Sequence, residues 1–116
     1  MLERYLPGLF LKGIALIKLE NEKVNKEKYY SVGYSLELKK YILVDVVTWV
    51  AWYNRYFEIT EEEYNSFGTV ALDSVADLIH KEGKNSRRFL FSDKTEENNE
   101  EQKRFAQRCG IRWSDV

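Results

Sequence analysis

Little in this chain punctuates or staples it: among 116 residues there are one cysteine, one proline, one histidine and six glycines. The lone Cys109 excludes an intramolecular disulfide, and so low a cysteine count suits a reducing cytoplasm. His80 and Cys109, in different segments, are too few soft ligands for a metal site. No glycine-rich phosphate loop, zinc spacing or lipase-type serine elbow occurs. Charge of neither sign dominates: 18 Lys and Arg oppose 19 Asp and Glu, a net charge of −1. Dedicated nucleic-acid binders usually carry a basic excess, so no nucleic-acid partner is expected. Long hydrophobic runs are missing too. The early stretch "LPGLFLKGIALIKL" is cut by Lys12 and Lys18, lacks a basic leader, and is too short and charged to span a bilayer. These absences together predict a soluble, cytoplasmic chain with no membrane partner and no cofactor.

What is present suffices for one domain over residues 1–116: 44% of the residues are hydrophobic, enough for a core without disulfides or metal. The near-neutral total hides an asymmetry. Residues 1–56 carry nine Lys and Arg against six Asp and Glu, while residues 57–116 carry nine against thirteen. A basic partner would be drawn to the second half.

Strand signals dominate the first half. Residues 9–20, "LFLKGIALIKLE", partly alternate, with Leu9, Leu11, Ala15, Ile17 and Leu19 on one parity. "NEKVNKEK" reads as loop. "YYSVGYSLEL" then alternates cleanly, placing Tyr30, Val32, Tyr34, Leu36 and Leu38 on one face. Residues 41–59, "YILVDVVTWVAWYNRYFEI", are β-branched and aromatic on both faces, as a central strand would be. At roughly 3.3 Å per residue a single strand of that length would reach about 63 Å, so the run must break. "YNRY" is the expected break, because Asn54 tolerates turn geometry.

Helix signals follow. Thr60 with Glu63 spells a capping box, Ile59 and Tyr64 a hydrophobic staple, and Glu61, Glu62 and Glu63 complement the positive end of a helix dipole. The helix is expected from about Glu61 toward Glu82, with Tyr64, Phe67, Ala71, Val75 and Ile79 facing inward beside Leu72 and Leu78. Gly68-Thr69 leaves two shorter helices possible, and Gly83 suits the end. "SRRFLFSD" reads as a strand centred on Phe89, Leu90 and Phe91. Asn99 with Gln102 caps a last helix whose inner stripe is Gln102, Phe105, Ala106 and Cys109, closed by Gly110, after which Trp113 is expected to fold back onto the body. The sum is an α+β fold: an antiparallel sheet of about four to five strands with two to three helices packed on it.

No catalytic constellation emerges. Neighbouring helical residues point about 100° apart, so Glu61, Glu62 and Glu63 do not converge on one atom. His80, near a helix end, reads as a dipole-complementing surface residue; Asp77 lies three residues before it, but no nucleophile is implied. Cys109 reads as a structural thiol. The aromatics Tyr29, Tyr30, Tyr34, Trp49, Trp52, Tyr53 and Tyr56 read first as packing, with a protein partner or a nucleic acid as alternatives for any that are exposed. Asp93, Glu96, Glu97, Glu100 and Glu101 place five carboxylates within nine residues of loop and helix start. Such a cluster is either solvated surface or a patch that steers a basic partner.

The succession "NRYFEITEEEYNSFG" and "LDSVADLIHKEGKNSRRFLFSDKTEEN", over residues 53–99, resembles small bacterial immunity proteins of contact-dependent growth inhibition and related polymorphic toxin systems. The resemblance implies a non-enzymatic cytoplasmic protein that binds one cognate toxin domain, often a nuclease, by direct protein–protein contact. No invariant binding motif transfers with it. The expected partner-binding residues therefore rest on charge alone: Asp93, Glu96, Glu97, Glu100 and Glu101, with Glu61 and Glu62, against a basic toxin surface. A non-enzymatic regulatory or adaptor domain of a phage or mobile element is the alternative.

Overall fold

The computed structural model describes residues 17–48 and 50–110. Of the strand expected over residues 9–20, the part over 9–16 lies outside the described residues, as do Trp49 and the Trp113 contact, while residues 17–19 are not strand and the first described strand opens at Glu20. Within them five strands form one antiparallel sheet in chain order: β1 (Glu20–Asn25), β2 (Tyr30–Ser35), β3 (Lys40–Val47), β4 (Tyr53–Ile59) and β5 (Phe89–Ser92). Two helices, α1 (Glu61–Asn65) and α2 (Val70–Glu82), lie in the connection from β4 to β5, and α3 (Glu100–Arg108) follows β5. Short 3-10 turns at Gly83–Asn85 and Thr95–Glu97 complete the described elements. The α+β expectation is therefore met.

The sheet is buried on both faces, which explains why β3 and β4 read as almost continuously apolar. On one face Tyr30, Val32, Leu43, Phe57 and Ile59 pack against Tyr64 of α1 and Leu72, Ala76 and Ile79 of α2. On the other, Ile42, Val44, Tyr56, Leu90 and Phe91 pack against Ile17, Leu38 and Ala106 of α3, with Phe105 and Cys109 half-buried beside them. Cys109 thus sits where its stripe predicts, and burial raises its thiol pKa.

Several local expectations are corrected. "NEKVN" lies within strand β1, not a loop: it pairs antiparallel with β2 and, among the described residues, is an outer strand of the sheet, which its largely exposed side chains suit. The alternation in β2 stops at Ser35. The chain turns through residues 36–39, with Lys39 in the left-handed region (φ 57°), leaving Leu36 exposed and carrying Leu38 to the opposite face. The long β run is split between β3, ending at Val47, and β4, beginning at Tyr53, so the break comes before the expected "YNRY". Asn54 is instead buried within β4, paired with Val46; residues 48–52 contain no Gly, Pro or Asn to mark a break in the sequence.

The stretch expected as helix over 61–82 is two helices. Thr60 makes both arms of its capping box with Glu63 at 3.1 and 2.9 Å. Gly68, at φ 92°, then turns the chain, and Thr69 caps α2. That restart changes the phase of the buried stripe to Leu72, Ala76 and Ile79, leaving Ala71 and Leu78 exposed. The Asn99–Gln102 box forms as expected, and Gly110 adopts a positive φ after α3.

Candidate functional site

The anticipated acidic surface is divided. Glu96, Glu100 and Glu101 are exposed near the start of α3, and Glu61 and Glu62 are exposed in α1. The two groups lie at opposite ends of β4, because Tyr53 at its start holds Glu97 whereas Ile59 at its end leads into α1. At about 3.3 Å per residue that strand separates them by roughly 20 Å. A Debye length of about 8 Å at physiological salt keeps the two fields from summing.

Asp93 and Glu97 serve the chain itself. Arg55 Nε and Nη2 donate to the two Glu97 carboxylate oxygens at 2.9 and 2.7 Å, and Tyr53 Oη donates to one of them at 2.8 Å. The Arg55 and Glu97 side chains are only 17% and 9% exposed. Burial pushes the Glu97 carboxyl up, but the Arg55 and Tyr53 hydrogen bonds and the guanidinium charge outweigh it and hold the pKa at about 2. Asp93 accepts a hydrogen bond from Tyr56 Oη at 2.8 Å, and its burial raises the carboxyl to about 6 against the opposing bonds from Tyr56 and Asn54.

Arg55 belongs to a row of polar side chains across the α1/α2 face. Tyr30, Asp45 and Arg55 occupy facing positions on β2, β3 and β4. Tyr30 Oη donates to Asp73 of α2 at 2.7 Å, and its pKa is pushed up to about 12 by burial and then by the Asp73 carboxylate. His80 Nδ1 and an Asp45 carboxyl oxygen are hydrogen-bonded at 2.8 Å. Asp45 is buried, which raises its pKa despite His80 and Arg55. His80 thus has an orienting carboxylate, contributed by Asp45 across the sheet and not by Asp77. The His80 side chain is 56% exposed, consistent with its expected surface position, and it docks the end of α2 onto β3. Among the described residues no group of three or more His, Cys, Asp or Glu side chains could hold a metal.

The aromatic residues are likewise divided. Tyr30 and Tyr56 are core, Tyr34 and Tyr53 half-buried, and Tyr29 and Trp52 exposed in an edge-to-face pair with centroids 5.6 Å apart. A different aromatic group frames a hollow that sequence reasoning missed. Tyr34 of β2 and Tyr41 of β3 are register partners on the α1 side, with ring centroids 4.9 Å apart. Tyr64 of α1 stands 5.0 Å beyond Tyr41. With Glu20, Asn21 and Leu36 they line an open depression of about 360 Å³.

Local structure builds this hollow. A bulge between Glu20 and Lys23 sets Asn21 at φ 51°, and the Asn21 carbonyl accepts the Tyr64 hydroxyl at 2.6 Å. Glu61 lies in the capped first turn of α1, and burial followed by the Glu61 charge raises the Tyr41 pKa. The Lys23 ammonium lies 4.2 Å from the Tyr64 ring centroid. Placing the turn at 36–39 would have revealed the Tyr34–Tyr41 pairing from sequence; the return of α1 to the same place has no local signal.

Among the described residues no helix is long and apolar enough to cross a membrane. Compared with known proteins, the chain matches no family model, no curated protein and no solved structure.

Proposed function

We propose that this chain is a cytoplasmic, non-enzymatic immunity protein that neutralises a cognate bacterial toxin domain by direct contact with a basic surface of that domain. One observation carries the reading. Exposed carboxylates, tyrosine faces and the 60% exposed Leu36 are gathered at the α1 end of the sheet. Protein interfaces favour that mixture of rigid aromatic anchors with charge that steers encounter. The resemblance over residues 53–99 supplies the partner class. In this reading Glu61 and Glu62, exposed at that end, are assigned the binding role, and the exposed Glu96, Glu100 and Glu101 form a separate, distal field.

The test begins with the neighbouring open reading frame, which is expected to end in a lethal domain, often a nuclease. Co-expression should restore growth, and the two proteins should copurify. Absence of both rescue and binding sinks the proposal. A partner that binds but has no toxic activity would instead support the adaptor alternative. Reversing Glu61 and Glu62 to Lys should slow association and reduce its salt dependence more than reversing Glu100 and Glu101.

A further inference from the structure

The tyrosine hollow has its own chemistry. Tyr34, Tyr41 and Tyr64 present aromatic rings on one depression, and aromatic faces attract cations through their quadrupoles. The rings are held before any ligand arrives: Tyr64 by its bond to the Asn21 carbonyl, Tyr41 by packing against the core. Little ordering cost is left for binding. A cation already uses this cluster, since the Lys23 ammonium sits over Tyr64. Carboxylates flank the rings. Glu20 lines the hollow and has only a 3.7 Å pairing with the 78% exposed Lys18 among the ion pairs of the described residues, and the exposed Glu61 acts on Tyr41 through its charge. Exposed Leu36 offers an apolar wall for an alkyl stem.

We infer that this hollow is a receptor for one cationic side-chain terminus, a guanidinium or an alkylammonium, whose alkyl stem lies along Leu36. The recognition requires only an organic cation; its delivery by an arginine or lysine of a protein partner rests on the function proposed above. Tyr34 and Tyr41 supply ring faces, and Glu20 and Glu61 supply countercharge. A guanidinium suits both, since it stacks on rings and pairs with carboxylates through its edge.

The experiment uses the full chain and a small probe, so it does not depend on any toxin. ¹⁵N-labelled protein is titrated with ethylguanidinium chloride, and separately with ethylurea, its neutral isostere, at matched ionic strength. Saturable amide shifts confined to Asn21, Tyr34, Leu36, Tyr41 and Tyr64, absent with ethylurea, are expected. Glu61→Lys, at an exposed position, should weaken binding by about three- to tenfold. Tyr34→Phe should retain binding and Tyr34→Ala should lose it. Should Tyr34→Ala fail to fold, Glu61→Lys and Glu20→Gln carry the test. Equal shifts with ethylurea, no saturable shift, or shifts spread over all surface carboxylates would overturn the inference. If the probe binds and no toxin is neutralised, the receptor stands and the immunity reading fails. If Tyr34→Ala or Glu61→Lys protein that no longer binds the probe still neutralises toxin at wild-type affinity, the hollow's role at the partner fails while neutralisation stands.

Discussion

Glu97→Ala separates a carboxylate that stabilises the fold from those available to a partner. Wild-type Glu97 receives two charge-assisted bonds from Arg55 and one from Tyr53, at 2.7 to 2.9 Å, with little solvent access. Removing it leaves a guanidinium that is 17% exposed without its main counterion and strips the Tyr53 hydroxyl of its acceptor. Breaking a buried pair from one side costs about 3–5 kcal/mol. The remaining exposure of Arg55, and its interaction with Asp45, place this site near the lower end, about 3 kcal/mol. For a chain of this size that corresponds to roughly 12 °C in Tm. Glu96→Ala, at an exposed position, should stay within about 0.5 kcal/mol. Urea denaturation followed by tryptophan fluorescence measures both. The sign of the pH dependence follows from the lowered pKa. Glu97's stabilisation is fully present above its ordinary value of 4.5 and is lost as pH falls toward about 2. The deficit of Glu97→Ala should shrink over that window. Replacing both partners, as in Arg55→Met with Glu97→Leu, should recover much of the loss. Equal stability of the Glu96 and Glu97 variants, or a deficit unchanged from pH 4.5 to 2, would refute the reasoning.

Other outcomes follow from local geometry. Gly33→Ala would set a Cβ 2.8 Å from Leu19 Cβ, which no rotamer can relieve, so a loss of about 1–3 kcal/mol is expected in urea unfolding. Thr60→Ala removes the side-chain arm of the α1 cap and should cost about 1 kcal/mol, while Arg88 still grips Glu63 through two 2.8 Å bonds. Asp93 should titrate near pH 6 in a carboxyl NMR experiment; because its folded pKa lies above 3.8, its contribution to stability rises as pH falls from 6 to 3.8, and Asp93→Asn should remove that limb.

The amino-acid sequence by itself determined the parts governed by neighbours in the chain. The α+β class, both capping boxes, the β2 alternation, the Phe89–Ser92 strand and the Cys109 stripe follow from period and cap chemistry acting over a few residues. Where two faces are apolar or the turn residue is unremarkable, local pattern loses its information: neither the break between Val47 and Tyr53 nor the crossing of Leu38 to the opposite face is marked locally. Only tertiary structure decided which carboxylates remain exposed. Glu97 and Asp93 look like their neighbours in sequence, yet Arg55 and Tyr56, about forty residues earlier, claim them. The tyrosine hollow is likewise a product of pairing at a distance, since β2, β3 and α1 each contribute one ring. Side-chain chemistry is written residue by residue, but burial and partnership depend on what the rest of the chain brings alongside.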